Sequence, residues 1–167
     1  LKPVFIDINP DTFLLDVELM ESHISNKTKV IMPVHLFGQC CDMSSIFSFA
    51  KKHNLFIIED AAQSIGSKCR INGHFQYSGT IGHIGITSFY PSKNLGCFGD
   101  GGCVVTNKKN YYTKMKKIAN HGGLRKNIHL ILGRNSRLDN IQGAILNYRL
   151  KKLNKIISKR RKNAHFY

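Results

Sequence analysis

One stretch constrains the fold more than any other. Leu55-Phe56-Ile57-Ile58 is an unbroken apolar run that passes straight into Glu59-Asp60-Ala61-Ala62-Gln63. A strand without polar alternation needs cover on both faces, which a parallel sheet flanked by helices provides. The surrounding sequence agrees. Residues 3–8 read as a short apolar strand, and Asp11 or Asp16 can cap a helix through Val17, Leu19, Met20 and Ile24. Residues 28–34 read as a second strand, and Asp42 or Ser44 then caps a helix with Ile46, Phe47 and Phe49 on its inner face. Strand and helix in alternation predict an α/β layered domain. Beyond Asp60, residues 66–71, 84–89 and 102–106 are shorter strand candidates, the first two separated by the turns Asn72-Gly73-His74 and Tyr77-Ser78-Gly79. Helices are expected over 109–120, over 138–150 and from Leu153 onward. No internal repeat or low-complexity linker interrupts the pattern.

Size and composition narrow the class. A chain of 167 residues buries roughly 70 % of its unfolded surface on folding. No run reaches the roughly 18 apolar residues that a membrane span requires, and no signal-peptide pattern is present. The five cysteines, an odd number without a C-x-x-C pair, read as reduced thiols in the cytoplasm rather than a disulfide framework or zinc site. The chain opens at Leu1 directly into a strand-like stretch and stops at Tyr167 within a basic helical one; both ends read as those of a fragment. Its net charge of +15 is uneven: residues 1–106 carry 8 Lys and Arg against 9 Asp and Glu, whereas 107–167 carry 17 against Asp139 alone. That asymmetry fits attraction for phosphate groups or polyanions, and fits more readily the solvated helix faces of a lysine-rich chain.

The residues that carry chemistry cluster around Lys93, in Ser88-Phe89-Tyr90-Pro91-Ser92-Lys93-Asn94. Carbonyl chemistry needs the neutral amine, which partial burial and nearby positive charge favour. Ser88 ends an apolar strand and offers a hydroxyl. Asp60 follows an apolar strand directly, where α/β sheets bind ligands. A carboxylate there can pair with a protonated pyridine nitrogen, or simply cap the next turn. Gln63 can meet a ring hydroxyl or lie exposed. The turn Gly96-Cys97-Phe98-Gly99-Asp100-Gly101-Gly102 lacks the lysine-serine or lysine-threonine order of a P-loop and reads as a tight hairpin. In Gly133-Arg134-Asn135-Ser136-Arg137-Leu138-Asp139, Asn135 and Arg137 can meet an anion at a helix start, or the segment can be ordinary capping by Ser136 or Asp139. The histidines, His35 and His121 among them, show no metal spacing and read as packing or surface residues.

These segments together resemble the DegT/DnrJ/StrS family of PLP-dependent (pyridoxal phosphate) nucleotide-sugar aminotransferases. The motifs fall in the family's order: Pro33-Val34-His35-Leu36-Phe37-Gly38-Gln39, Glu59-Asp60-Ala61-Ala62-Gln63, Ser88 through Gly102, His121-Gly122, Gly133 through Arg137, Gln142-Gly143-Ala144-Ile145-Leu146, and Arg160-Arg161 to Tyr167. The resemblance implies the aspartate aminotransferase-like fold type I, a mostly parallel sheet flanked by helices, incomplete here at both ends. Residues 1–150 would be part of the cofactor-binding large domain, and 151–167 the start of the connecting helix toward a C-terminal small domain.

By the same resemblance Lys93 would carry the cofactor aldehyde and then shuttle the proton, Asp60 would pair with the pyridine nitrogen, Gln63 would lie by the ring hydroxyl, and Ser88 would bind the phosphate. Asn135 would reach the phosphate in a neighbouring subunit's site, which implies a homodimer with shared active sites. The cofactor implied is pyridoxal 5'-phosphate, the substrates a nucleotide-linked keto-sugar and an amino donor such as glutamate, and the setting amino-sugar or surface-polysaccharide biosynthesis. A branch of the family carries histidine for the lysine and dehydrates instead; Lys93 argues against it. The form Gly99-Asp100-Gly101-Gly102 leans toward members acting at a 3-keto position. Family members run to about twice this length, so the segment with Ser-Gly-Thr that helps bind phosphate, the aromatic residue that stacks on the ring and the small domain are expected outside residues 1–167. Two other readings remain: an impaired fragment or PLP-fold regulator using its basic half on nucleic acid or phosphate, and a PLP enzyme acting on a small amino acid or cyclic ketone.

Overall fold

The computed structural model describes all residues, 1–167. The chain divides into two compact units, Leu1–Ser88 and Phe89–Tyr167.

The first unit is built on a parallel sheet. Strand β1 (Val30–Ile31) pairs with β2 (Phe56–Asp60), and β2 pairs with β5 (Ile84–Ser88), both in parallel. The expected strand over 28–34 is thus reduced to two residues. Pro33, which has no N–H to give a ladder, follows two residues later, and pairing resumes only as an isolated parallel bridge from Val34 to Asp60. Helix α2 (Met43–Lys52) starts at Asp42, whose Oδ1 accepts the Ser45 backbone N–H at 3.1 Å and whose Oδ2 accepts the Ser45 hydroxyl at 2.6 Å. Met43, Ile46 and Ala50 form its buried face. Phe47, expected to point inward, is 45 % exposed; it lies one turn on from Met43, at the edge of the stripe that 43, 46 and 50 form. The core joins Met43, Ile46 and Ala50 to Ile31, Leu55, Ile57, Cys69 and Ile71.

The N-terminal expectations fail in an instructive way. Residues 3–8 form no strand; Ile8 makes one antiparallel bridge to Leu15, and Val4 and Phe5 are exposed. The helix expected through Val17 and Ile24 shrinks to the single turn α1 (Met20–His23). The polar side chains were recruited locally instead. Asn9 Oδ1 accepts from the N–H groups of Asp11 and Thr12, and Asp16 Oδ1 accepts from Glu18 N–H, so Asp16 closes a turn rather than capping a helix. Ile24 then takes an extended conformation and ends the turn.

Strand β3 (Lys68–Ile71) pairs antiparallel with β4 (His74–Tyr77), a strand the sequence reading passed over as turn. Every β4 residue is exposed, so no apolar pattern betrayed it. The link is a two-residue turn, Asn72 at φ 48° and Gly73 at φ 83°, the twist a tight hairpin demands.

The second unit contains β6 (Gly102–Val105), α3 (Lys109–Ala119), α4 (Asn140–Leu150) and α5 (Leu153–Phe166), close to the expected boundaries. Asp139 occupies the N-cap of α4 without a side-chain cap bond. No helix is long and apolar enough to cross a membrane.

Candidate active site

The first unit holds Asp60, Gln63 and Ser88. Along β2 the pleat buries Ile57 and Glu59 and leaves Ile58 and Asp60 half-buried on the other face. Asp60 sits at the carboxyl-terminal end of the strand, between Val34 and Ile86. Its N–H donates to Pro33 O at 2.9 Å, and its carbonyl accepts from His35 N–H at 3.0 Å. Its Oδ1 accepts from Ala62 N–H at 2.9 Å, so the side chain closes the turn after the strand while Oδ2 can serve a cationic donor. Gln63 is exposed, and its Oε1 accepts the Phe37 N–H at 2.8 Å. That bond orients the amide and commits its oxygen, leaving its NH₂ as the end that can donate to a ligand. Phe37 holds a positive φ of 55° to present this N–H. Ser88 is the last residue of β5 and half-buried, while Thr87 Oγ1 ties the end of β5 to Ala61 O at 3.1 Å. Asp60, Gln63 and Ser88 therefore all lie at or just beyond the carboxyl ends of adjacent parallel strands, where α/β sheets bind ligands.

The second unit holds Lys93 and Asn135. Lys93 is half-buried on a turn closed by its own N–H to Tyr90 O at 2.9 Å. Arg160 of α5 donates from Nη2 to Ser92 O at 2.9 Å, pinning the residue before the lysine. The glycine-rich segment folds back beneath: Phe89 N–H reaches Gly101 O and Cys97 N–H reaches Phe89 O, each at 2.7 Å. Gly96 is where this return would fail with any side chain, because a Cβ there would lie 2.6 Å from Pro91 O and 2.7 Å from Tyr90 O. Gln142 of α4 accepts the Phe98 N–H at 2.8 Å, which gives the Gln142-Gly143 motif a structural purpose. Asn135 is exposed, and its Oδ1 accepts from Arg137 Nε at 2.9 Å. Its loop is held against α3 by Arg134 N–H to Ile118 O at 2.8 Å and Ser136 N–H to Ala119 O at 2.9 Å.

Sequence reasoning passed over Glu59 and treated His35 as one packing or surface histidine among several. Both are fully buried, with Glu59 Oε2 3.0 Å from His35 Nε2. Glu59 Oε2 also accepts Gly79 N–H at 2.7 Å, and Oε1 accepts Ile81 N–H at 2.7 Å and Gly82 N–H at 2.5 Å. Burial works against a charge on Glu59, but His35 and the three backbone N–H groups outweigh it and hold the carboxyl below its usual range. The available signal was a carboxylate completing a continuous apolar strand; its histidine partner, 24 residues upstream, left no local trace. Nearby, the Cys69 thiol, against the cost of burial, holds the Cys40 thiol below its ordinary value. All five cysteines are free, and no group of three or more His, Cys, Asp or Glu side chains is placed to hold a metal.

A parallel α/β sheet with a carboxylate at a strand end defines a class shared with solved aminotransferase-fold proteins of fold type I. One of these, NtdA of Bacillus subtilis, was solved with bound cofactor PMP; it superposes with a TM-score of 0.81 at 38 % identity, over 90 % of this chain and 34 % of that one. The chain belongs to the DegT/DnrJ/EryC1/StrS aminotransferase family, whose model matches residues 1–167. It is 46 % identical over 166 residues to a pleiotropic regulatory protein of Geobacillus stearothermophilus, covering 99 % of this chain and 44 % of that protein. It is 43 % identical over 166 residues, again 99 % and 44 %, to the UDP-2-acetamido-2-deoxy-3-oxo-D-glucuronate aminotransferase of Pseudomonas aeruginosa. The chain thus spans less than half the length of these curated relatives.

Proposed function

We propose that the full-length protein is a PLP-dependent aminotransferase that moves an amino group from a donor such as glutamate to a keto group of a nucleotide-linked sugar, in amino-sugar or surface-polysaccharide biosynthesis. The observation that carries this reading is the placement of Asp60, Gln63 and Ser88 at the carboxyl ends of β2 and β5, in a family member that retains Lys93. The donor set fits the cofactor: a carboxylate for a protonated ring nitrogen, an amide NH₂ for a ring oxygen, and a hydroxyl for a phosphate. When bound, pyridoxal phosphate supplies a ring that accepts the electron pair left when a substrate carbon loses its proton.

The chain's own residues do the rest. Asp60, fixed through both flanking peptides and the Ala62 N–H, holds the proton on the ring nitrogen. Gln63, its oxygen already bound by Phe37 N–H, orients the ring through its NH₂. Ser88 binds phosphate. Lys93 would hold and move at Nζ the proton that passes between the substrate carbon and the cofactor in each half-reaction, so the kinetics are ping-pong. The turn held by Tyr90 O and Arg160 fixes where that amine starts.

Asn135 is assigned to the phosphate of a second copy's site. Supporting this, the segment around it exposes Leu132 at 98 %, Leu130 at 66 % and Ile141 at 69 %, surface suited to a homodimer. Residues 1–150 belong to the cofactor-binding domain, and α5 leads toward a small domain. The sugar is a 3-keto one; the Pseudomonas aeruginosa relative acts on a 3-oxo sugar. The protein works in the cytoplasm.

The test is the absorption spectrum of the full-length protein with PLP, beside Lys93→Ala, before and after glutamate. A lysine-dependent band that glutamate bleaches supports the reading. No such band sinks it and moves forward a regulatory role; the Geobacillus stearothermophilus relative is named a regulatory protein.

A further inference from the structure

Glu59 and Asp60 are consecutive on β2 and therefore point to opposite faces. Asp60 serves the proposed site; Glu59 is buried behind it and has no part in the reaction described above. A buried carboxylate is costly unless its lone pairs are met, and here every one is spoken for. Oε1 faces Ile81 and Gly82 N–H; Oε2 faces Gly79 N–H and His35 Nε2. The ring's other nitrogen, Nδ1, accepts from Cys41 N–H at 3.1 Å, so the proton facing Glu59 sits on Nε2.

The consequences run to both residues of the site. His35 N–H donates to Asp60 O, and Asp60 N–H donates to Pro33 O, so fixing the His35 ring fixes the segment that brackets Asp60. Two residues on, in the turn Leu36–Gly38, Phe37 N–H holds Gln63 Oε1, and Ser67 Oγ donates to Gly38 O at 2.6 Å. We propose that the buried Glu59–His35 pair is a positioning unit that sets where Asp60 and Gln63 meet the cofactor ring. The proposal rests on the aminotransferase reading of the site.

The arrangement discriminates sharply between a carboxylate and its amide. Each Glu59 oxygen faces two donors, so Glu59→Gln turns an NH₂ against two N–H groups whichever way it lies, with almost no change in shape. His35→Leu removes one donor and leaves the charge short of a partner. His35→Gln restores an N–H of similar reach to Oε2 and is the rescue.

The experiment uses the full-length protein and three readouts: the Kd for PLP, the pH midpoint of the cofactor absorption band, and backbone amide exchange without PLP. In folded Glu59→Gln and His35→Leu, the Kd rises at least tenfold, the band midpoint shifts, and exchange quickens at residues 35–37 and 79–82. His35→Gln stays within threefold of wild type. If Glu59→Gln does not fold, the His35 pair carries the test. Folded variants that lose thermal stability but keep the wild-type Kd and band midpoint overturn the proposal, because the pair is then structural only. Wild-type protein without a cofactor band sinks the aminotransferase reading by itself; exchange at 35–37 unaltered in His35→Leu would still refute the clamp independently.

Discussion

Gly85→Ala tests the packing behind the site most directly. Gly85 sits opposite Glu59 in the β2–β5 register, and the segment that crosses it begins at Gly79. A Cβ on residue 85 would lie 1.9 Å from Gly79 O and 2.6 Å from its carbonyl carbon. Relieving this requires the Gly79 peptide to retreat by at least about 1 Å, since packed carbon and oxygen atoms do not approach much below about 3 Å. Gly79 N–H now donates to Glu59 at 2.7 Å, and a retreat of that size breaks the bond. Losing a hydrogen bond to a buried charge costs about 1.5–3 kcal/mol, and forced overpacking adds about 1–3 kcal/mol. The expected destabilisation is about 3–5 kcal/mol, a large part of the roughly 5–15 kcal/mol that holds a domain folded. Urea unfolding of the full-length protein, followed by circular dichroism, measures it. Gly143→Ala is the control: an added Cβ in α4 meets nothing within 4 Å, so it gains about 0.5–1 kcal/mol from helix propensity alone. A Gly85→Ala protein within 1 kcal/mol of wild type, or one more stable than Gly143→Ala, would refute the reasoning.

Other consequences are smaller and separable. Asp42→Ala removes the N-cap of α2 and lowers stability by about 1 kcal/mol; equal urea midpoints would show the cap idle. Glu59 titrates below its usual value in the folded protein, so its contribution is complete above the unfolded pKa near 4.5 and is lost as pH falls through the lower folded value. Acid unfolding curves should therefore show a loss below about pH 4.5 that Glu59→Gln flattens; parallel curves would contradict this. Cys40, its thiol held below the ordinary value by Cys69, reacts with iodoacetamide at a lower pH than a free thiol does. A rate for Cys40 that rises only above about pH 8.5, as for a free thiol, would count against the influence of Cys69.

The parts of the molecule legible in the sequence are those whose signals are local. The run 55–58 announced β2 because burial on both faces writes a continuous apolar string, and Asp42 announced α2 because an N-cap acts within three residues. Asp60 and Ser88 were legible as strand-end residues for the same reason. What escaped depended on distance or on competition. The hairpin strand β4 carries no apolar pattern because all of it is exposed. The N-terminal helix lost to Asx-type turns that Asn9 and Asp16 form with their own neighbours. Gln142 reaches 44 residues back to Phe98, and His35 reaches Glu59 across two strands; neither link has a sequence period to betray it.

The alternation along β2 has an evolutionary corollary. A one-residue insertion or deletion within Phe56–Asp60 would exchange the faces of its two acids. The shorter aspartate would be sent to the nest of four donors and the longer glutamate to the open side, failing both tasks at once. The hairpin turn at Asn72-Gly73 is itself exposed, as is all of the strand that follows it, so the turn is free to change length. Length variation among homologous chains should therefore collect at that turn and spare the five residues of β2, whose spacing is protected by the incompatibility of two adjacent side chains rather than by the apolar core alone.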